Sequence, residues 1–400
     1  MKRSLEFVLF LLAALACHGQ TGNAVKISAS DLRADAAILR SAYETLHPGL
    51  YRYSTKAEMD GKFVALDHRL DHNQTLQDAF LAFSEFAASV KCGHTQANPF
   101  NQSKAVVEAL FKSPTRLPFY FEWIDRRMIV TRDFTVGRVL PRGTEVTWIN
   151  GVAASAVLAR LLSVARADGA NDSKRVAQLG VNGDSEYETF DLYFPMFFPS
   201  AGGSVALVTK KPNARREERV SVKTLTFEER IAPIKEREAQ RKGGDQALFE
   251  WRYLPDGSAY LRMPTWALYN SKWDWKTWLH GHLDELAERG SPGLVLDLRG
   301  NEGGDDVGNE IIPYLIDAPV TLSSMRRLVR YRKVPDDLVP YLDTWDKSFR
   351  DWGGSAMDMS EPWPTAPVGV SYLRLKRYDD GESGDVIKPA GKRFKGKVFV

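Results

Sequence analysis

Apolar positions recur at three- or four-residue steps over residues 31 to 46, at Leu32, Ala36, Leu39, Tyr43 and Leu46. That stripe predicts a helix with one buried face. His47-Pro48-Gly49 follows and stops it, as proline and glycine do. Residues 56 to 70 and 75 to 90 repeat the amphipathic pattern, so 28 to 92 reads as mostly helical. The pattern then changes to strand-like runs at 117 to 124 and 128 to 132. Residues 142 to 151 form a strand entering an Asn150-Gly151 turn, and 153 to 165 turn helical again. Residues 166 to 250 are polar and weakly patterned. They hold one strand at 204 to 209 and a charged run from 215 to 241 that reads as a solvated linker or helix face.

The firmest pattern comes next. Residues 259 to 263 read as a strand. Residues 273 to 289 read as a helix with Trp275, Trp278, Leu279, Leu283 and Leu286 as its stripe. Residues 294 to 298 are an apolar run broken only by Asp297. Strand, helix, strand is the crossover unit of a parallel sheet. The second strand enters a glycine-rich turn with Gly300, Gly303 and Gly304, and a new helix is predicted over 305 to 315. Such a turn exposes backbone N–H groups that can hold a phosphate, a carboxylate or a developing oxyanion. It is neither Gly-x-Gly-x-x-Gly nor a Walker loop. A bare Gly-Gly pair is equally served by a tight turn needing glycine angles. Beyond it the pattern predicts a strand over 320 to 331, a helix over 338 to 352 and an irregular loop over 353 to 367. A buried strand opens at 397.

Composition narrows the class. With 400 residues, 44% of them hydrophobic and 26% charged, two or three globular domains are expected. A net charge of +3 with no dense Lys/Arg stripe gives no reason to expect a nucleic-acid partner. Residues 1 to 16 carry Lys2 and Arg3 before an apolar run and read as a signal peptide, so export from a cell with a bacterial-type envelope is expected. Cys17 follows Ala16 directly and also fits a lipid anchor. The one other cysteine, Cys92, is then left without a partner, which argues against a disulfide framework.

Residues 297 to 304, Asp-Leu-Arg-Gly-Asn-Glu-Gly-Gly, are a far more specific string than two glycines. They resemble the oxyanion-loop signature of the serine peptidases that include the C-terminal-processing (tail-specific) and tricorn-like proteases. Residues 46 to 51, Leu-His-Pro-Gly-Leu-Tyr, and 92 to 95, Cys-Gly-His-Thr, are similar to segments of the same family, which often has Asp where Cys92 stands. Residues 143 to 151 resemble a PDZ segment, with Thr144 in place of the usual Asp.

The resemblance implies an α/β architecture: a helical N-terminal domain over 17 to 115, a PDZ-like domain and linker over 116 to 225, and a crotonase-like core over 226 to 400. It implies hydrolysis of polypeptide substrates through an acyl-enzyme, with no metal or organic cofactor. His94 would be the base, and a backbone N–H of Gly303 or Gly304 would bind the oxyanion, Gly303 being the first choice. Asp297 and Arg299 would tie the loop down. The nucleophilic serine would follow the strand opening at 397, and is expected beyond residue 400 in a chain cut short there. Members with a Ser–Lys dyad would leave His94 idle. Ser323, Ser324, Ser355 and Ser383 do not follow a buried strand and open a helix. The alternative is a non-catalytic relative that binds a peptide or a hydrophobic ligand.

Other constellations are weaker. Cys92 and His94 would share a face if extended, but no orienting partner is visible. His68 and His72 have helical spacing without the glutamate of a zinc protease. His280 and His282 point different ways on a helix. The tryptophans at 266, 273, 275 and 278 read as core and domain interface, the alternative being the lining of a substrate cleft.

Overall fold

The computed structural model describes residues 26–400 apart from 184, 241–247, 324, 325, 345, 360–363, 365 and 379–383. The predicted leader, Cys17, Ser324 and Ser383 lie outside the described residues. The chain divides into two compact units, one of residues up to Lys235 with Leu328–Leu375, the other Glu236–Arg327 with Lys376–Val400.

The first unit opens with the predicted helices, Ala29–Leu46, Lys56–Arg69 and Leu76–Ser89. Each start is capped. The Ser28 hydroxyl accepts the Asp31 N–H, Thr75 does the same for Asp78, and Thr55 with Glu58 makes a reciprocal capping box. Their stripes meet in one core of Leu32, Ala36, Met59, Phe63, Leu66 and Phe86, with the Phe63 and Phe86 rings 4.8 Å apart.

A sheet follows, in the order Phe119–Ile124, Arg127–Asp133, Glu145–Ile149, Ser204–Lys210, Glu218–Lys223, with Val152–Ala153 pairing Glu145–Ile149. All its pairings are antiparallel. The turns are those the sequence requires. Asp125 and Arg126, and then Asn150 and Gly151, take positive φ at two successive positions, as tight hairpins do. One face buries Phe119, Phe121, Met128, Val130, Val146 and Leu207 against the helices Ala154–Leu161 and Thr189–Phe197. The outer edge of Phe119–Ile124 is closed by the chain itself. Phe121 and Val181 exchange both backbone hydrogen bonds at 2.9 Å, and the Trp123 indole donates to the Leu179 carbonyl.

Four expectations change. The run from 215 to 241 is not merely solvated. It contains Glu218–Lys223 and a helix, Phe227–Gln240, whose Arg230 is fully buried and paired with Asp191 and Glu188, with Arg116 on the same Asp191. A buried guanidinium needs such partners. The helix expected over 338 to 352 is two 3-10 turns, Val339–Tyr341 and Lys347–Arg350. Pro340 denies it an N–H, and the Asp346 carboxylate caps the Ser348 N–H. The strand over 320 to 331 is two short pieces, Val320–Thr321 and Leu328–Val329, each paired elsewhere. Residues 328–375, expected in the core, pack in the first unit, where the Tyr372 hydroxyl donates to the Pro48 carbonyl and Val370 joins the helical core.

In the second unit a four-stranded sheet runs Lys397–Phe399, Gly293–Asp297, Ala259–Arg262, Glu250–Tyr253. The first three are parallel and the last antiparallel. The crossover helix is Trp275–Arg289, started by Asp274 and stopped by Gly290 at φ 64°. Leu279, Leu283 and Leu286 bury against Leu261, Leu294 and Leu296, as the stripe predicts.

Candidate active site

Two segments carry the predicted chemistry. The first is the loop leaving the central parallel strand. Asp297, nearly buried at that strand's end, accepts from the Tyr260 hydroxyl at 2.6 Å, from the Arg299 side chain at 2.8 and 2.6 Å, and from the Arg299 backbone at 3.0 Å. The Arg299 bonds come first among the causes that hold the Asp297 carboxyl far below the usual carboxylate range. Asp297 and Arg299 are thus spent on each other and on the loop's shape.

Asn301 then braces the turn. Its amide donates to the Met263 carbonyl at 2.9 Å, and its side-chain oxygen accepts the Gly303 N–H at 2.8 Å. Trp266 clamps the far side. Its N–H donates to the Gly303 carbonyl at 3.2 Å, and its carbonyl accepts from Asp305 at 2.7 Å. Gly304 lies inside that clamp at φ 141°, where a Cβ would come within 2.1 Å of the Trp266 carbonyl group. Only glycine fits such an approach.

The two predicted oxyanion donors therefore differ. The Gly303 N–H is engaged by Asn301, whereas no described residue accepts the Gly304 N–H. The helix after the loop, Val307–Ile311, is short and tied to the crossover helix. Glu310 takes Lys276 at 2.6 Å and His280 at 2.9 Å. His282 stacks between Trp251 and Trp278, at 4.9 and 4.2 Å. Both histidines serve packing.

The second segment is the turn after the helix Leu76–Ser89. Lys91 takes φ 61°, and the Thr95 N–H closes on the Cys92 carbonyl at 3.0 Å. A distant loop holds it. Asp168 accepts the Gly93 N–H at 3.1 Å, Arg166 donates to the Gly93 carbonyl, and Gly169 donates to the Lys91 carbonyl at 2.9 Å. His94 is exposed at the tip, and no described residue bonds to its side chain.

The stretch is a turn, so the extended Cys92–His94 pairing considered from sequence does not form. The histidine that meets this turn is His47, which the sequence marks as a helix stop and as part of the family-like segment 46 to 51. Its Nδ1 accepts the Gly49 N–H at 3.0 Å, and its Nε2 lies 2.8 Å from the Thr95 hydroxyl. Hydrogen bonds from His47 first, then from Thr95 and the His94 backbone, pull the Cys92 thiol down to about 6, against the burial that pushes it up. The signal that could have found His47 is that 46 to 51 and 92 to 95 both resemble one family. Segments kept by one family are candidates for contact with each other.

His94 belongs to the first unit, and Gly303 and Gly304 to the second. Ser323 and Ser355 make no side-chain hydrogen bond to a described histidine.

Residues 257–400 match the model of peptidase family S41. No curated protein matches the sequence. Among solved structures, a CPAF mutant is 14% identical, with a TM-score of 0.51, over 92% of this chain and 78% of that one. At that identity the likeness is one of fold. Mature CPAF complexed with lactacystin is 13% identical with a TM-score of 0.49, over 92% and 78% of the two chains. The photosystem II D1 C-terminal processing protease is 16% identical with a TM-score of 0.29, over 76% and 67%.

Proposed function

We propose, from the match of residues 257–400 to the model of peptidase family S41, that the chain is a serine-type endopeptidase cleaving polypeptides through an acyl-enzyme. The observation that carries the reading is the loop 297–304. It is braced by Asp297, Asn301 and Trp266, and the Gly304 backbone N–H has no acceptor among the described residues. A preorganised donor of this kind stabilises the oxyanion of acyl transfer at no reorganisation cost. Gly304 is accordingly assigned as the oxyanion donor, and Gly303 as part of its support.

The nucleophilic serine is placed in the chain that continues from Lys397–Phe399. That strand runs parallel to Gly293–Asp297, with Phe399 opposite Val295. Residues following it therefore rise beside the strand end from which the loop departs. His94 is assigned as the base that takes the serine proton. Residues 116 to 225 are read as a PDZ-like domain, in which any strand addition to the outer edge of Phe119–Ile124 must first displace Val181. Export through residues 1 to 16, with Cys17 as a lipid anchor if acylated, completes the reading.

The test is to extend the chain through its own downstream sequence and treat it with a fluorophosphonate. A single adduct on a serine in the turn after this strand is the expected result. An adduct elsewhere, or peptide hydrolysis with no serine adduct, would discard the assignment.

A further inference from the structure

The outer face of the antiparallel sheet carries a cavity that peptide hydrolysis as proposed above does not use. In the strand Arg127–Asp133, Met128 and Val130 are buried in the core, so strict alternation would send Arg132 there too. A β-bulge prevents it. Tyr120 pairs with Arg132 and Phe121 with Val130, which leaves Thr131 unpaired and turns Arg132 to the outer face. There its guanidinium lies 5.4 Å from the centre of the Phe134 ring, which packs edge-on against Tyr120 at 4.7 Å. The loop before the next strand supplies a second guanidinium. The Gly143 N–H donates to the Val130 carbonyl and the Val130 N–H to the Thr144 carbonyl, both at 2.8 Å, which holds Arg142 beside the bulge. The two arginines share an open cavity of about 370 Å³ with Tyr120, Asn182, Ile124 and Ile129. Neither guanidinium has a carboxylate partner among the described residues. Tyr120 is 4% exposed, and its hydroxyl, beside Gly183, has no hydrogen-bond partner among them. Burial pushes that hydroxyl above its ordinary value, so it keeps its proton and stays a donor.

We propose that this cavity binds a small amphipathic monocarboxylate, with its head at Arg132 and Arg142 and its apolar body along Ile129 and Ile124. The strand register sets that direction. Arg132 lies opposite Tyr120, Ile129 lies opposite Glu122, and Ile124 comes last, so the cavity runs from a cationic end to an apolar one. A planar carboxylate matches the guanidinium fork and makes charge-assisted hydrogen bonds with it. The Tyr120 hydroxyl, at the same end, is a third donor and gains the acceptor it lacks. The volume is near the lower limit of ligand sites, ~300–1,000 Å³, so the occupant is small. Glu122 is the one acid among the lining residues. It stands two positions from Tyr120, roughly 7 Å along the strand. There it repels a second negative charge at the apolar end, which selects a monocarboxylate over a dicarboxylate. The cavity lies on the face of the sheet and not at the edge of Phe119–Ile124, which Val181 occupies, so binding needs no strand addition. The proposal does not depend on the peptidase reading, because every residue it uses lies between 120 and 183.

The experiment titrates the full chain, labelled at isoleucine methyl groups, with octanoate and with 1-octanol, which has the same tail and no charge. Octanoate should move the Ile124 and Ile129 methyl signals and leave that of Ile149, buried in the core, in place. Octanol should bind about tenfold more weakly or worse, the factor a charged hydrogen bond is worth. Arg132→Gln and Arg142→Gln should each weaken octanoate by about the same factor and leave octanol unchanged. Tyr120→Phe should weaken octanoate several-fold yet raise the Tm of the ligand-free chain, because it deletes a buried hydroxyl that has no partner. A merely structural role for Tyr120 would not give those opposite signs. Glu122→Gln should let a dicarboxylate of the same length bind. Failure of octanoate to bind, equal binding of octanoate and octanol, or methyl shifts confined to other isoleucines would overturn the proposal. Displacement of octanoate by an equal concentration of inorganic phosphate would also overturn it, in favour of a site for bare oxyanions. The wild-type comparison of the two probes decides the matter even if a variant fails to fold.

Discussion

The loop 297–304 and the turn 92–95 are both short, glycine-bearing and candidates for the same chemistry, yet they are built in opposite ways. The loop is held from within and from the strand beside it. Asp297 grips Arg299, Asn301 grips Gly303, and the backbone of Trp266 grips the glycines. The turn is held from far along the chain, by His47 on one side and residues 166 to 169 on the other. A locally built site writes itself into a contiguous string. A site assembled from distant segments leaves isolated residues whose roles cannot be read in place. The loop should accordingly fail when its own backbone is altered, and the turn should tolerate changes at its tip.

Gly304→Ala is the severest test of the first half. A Cβ within 2.1 Å of the Trp266 carbonyl group must open the clamp. Activity of the extended chain should fall by about a thousandfold or more, the cost of a lost oxyanion donor. Thermal unfolding of the second unit should also show a loss of roughly 3 kcal/mol. His94→Ala should lower single-turnover acylation by about a hundred- to ten-thousandfold. Its stability should stay within ~0.5 kcal/mol, because the residue is exposed at the tip of the turn. Acylation at the wild-type rate would remove His94 from the mechanism.

Asn301→Ala separates bracing from chemistry. It frees the Gly303 N–H and the Met263 carbonyl, so it should cost ~1–2 kcal/mol of stability and a smaller share of the rate than Gly304→Ala. Equal losses from the two variants would mean that the loop acts only as a unit.

The smallest expected effect lies in the first unit. Burial, then the nearby Asp191 charge, raises the Glu188 carboxyl to about 7, although the Asn182 and Gly183 N–H groups and Arg230 oppose the shift. A carboxyl raised on folding favours the folded state below its unfolded value of 4.5, and that contribution is lost as pH rises through about 7. Glu188→Gln should flatten the pH dependence of unfolding between those limits. A variant with an unchanged slope would show that Glu188 stays ionised beside Arg230.

The same contrast explains what could be read in advance. The crossover unit of residues 259 to 298 was legible because Leu279, Leu283, Leu286, Leu294 and Leu296 sit at regular spacing and are all buried. The helix Thr189–Phe197 was not, because Phe190, Leu192, Tyr193, Phe194 and Met196 bury nearly its whole circumference and erase the 3.6-residue period. Arg230 looked like one charge among many. Its burial depends on Asp191, thirty-nine residues away in sequence, and no local pattern encodes that pairing. His47 was hidden the same way, by a partner forty-eight residues on. At the loop, the motif pointed to the glycine pair but could not say which N–H is free. That depends on the Asn301 rotamer.

The choice between those two N–H groups is the most direct measurement of the account. A peptidyl boronate added to the extended chain forms a tetrahedral adduct with an oxyanion on its serine. With glycine amides labelled for NMR, the Gly304 proton should move strongly downfield on adduct formation, and the Gly303 proton, still bonded to Asn301, should hardly move. A large shift at Gly303 with Gly304 unmoved, or an adduct that shifts neither, would contradict it.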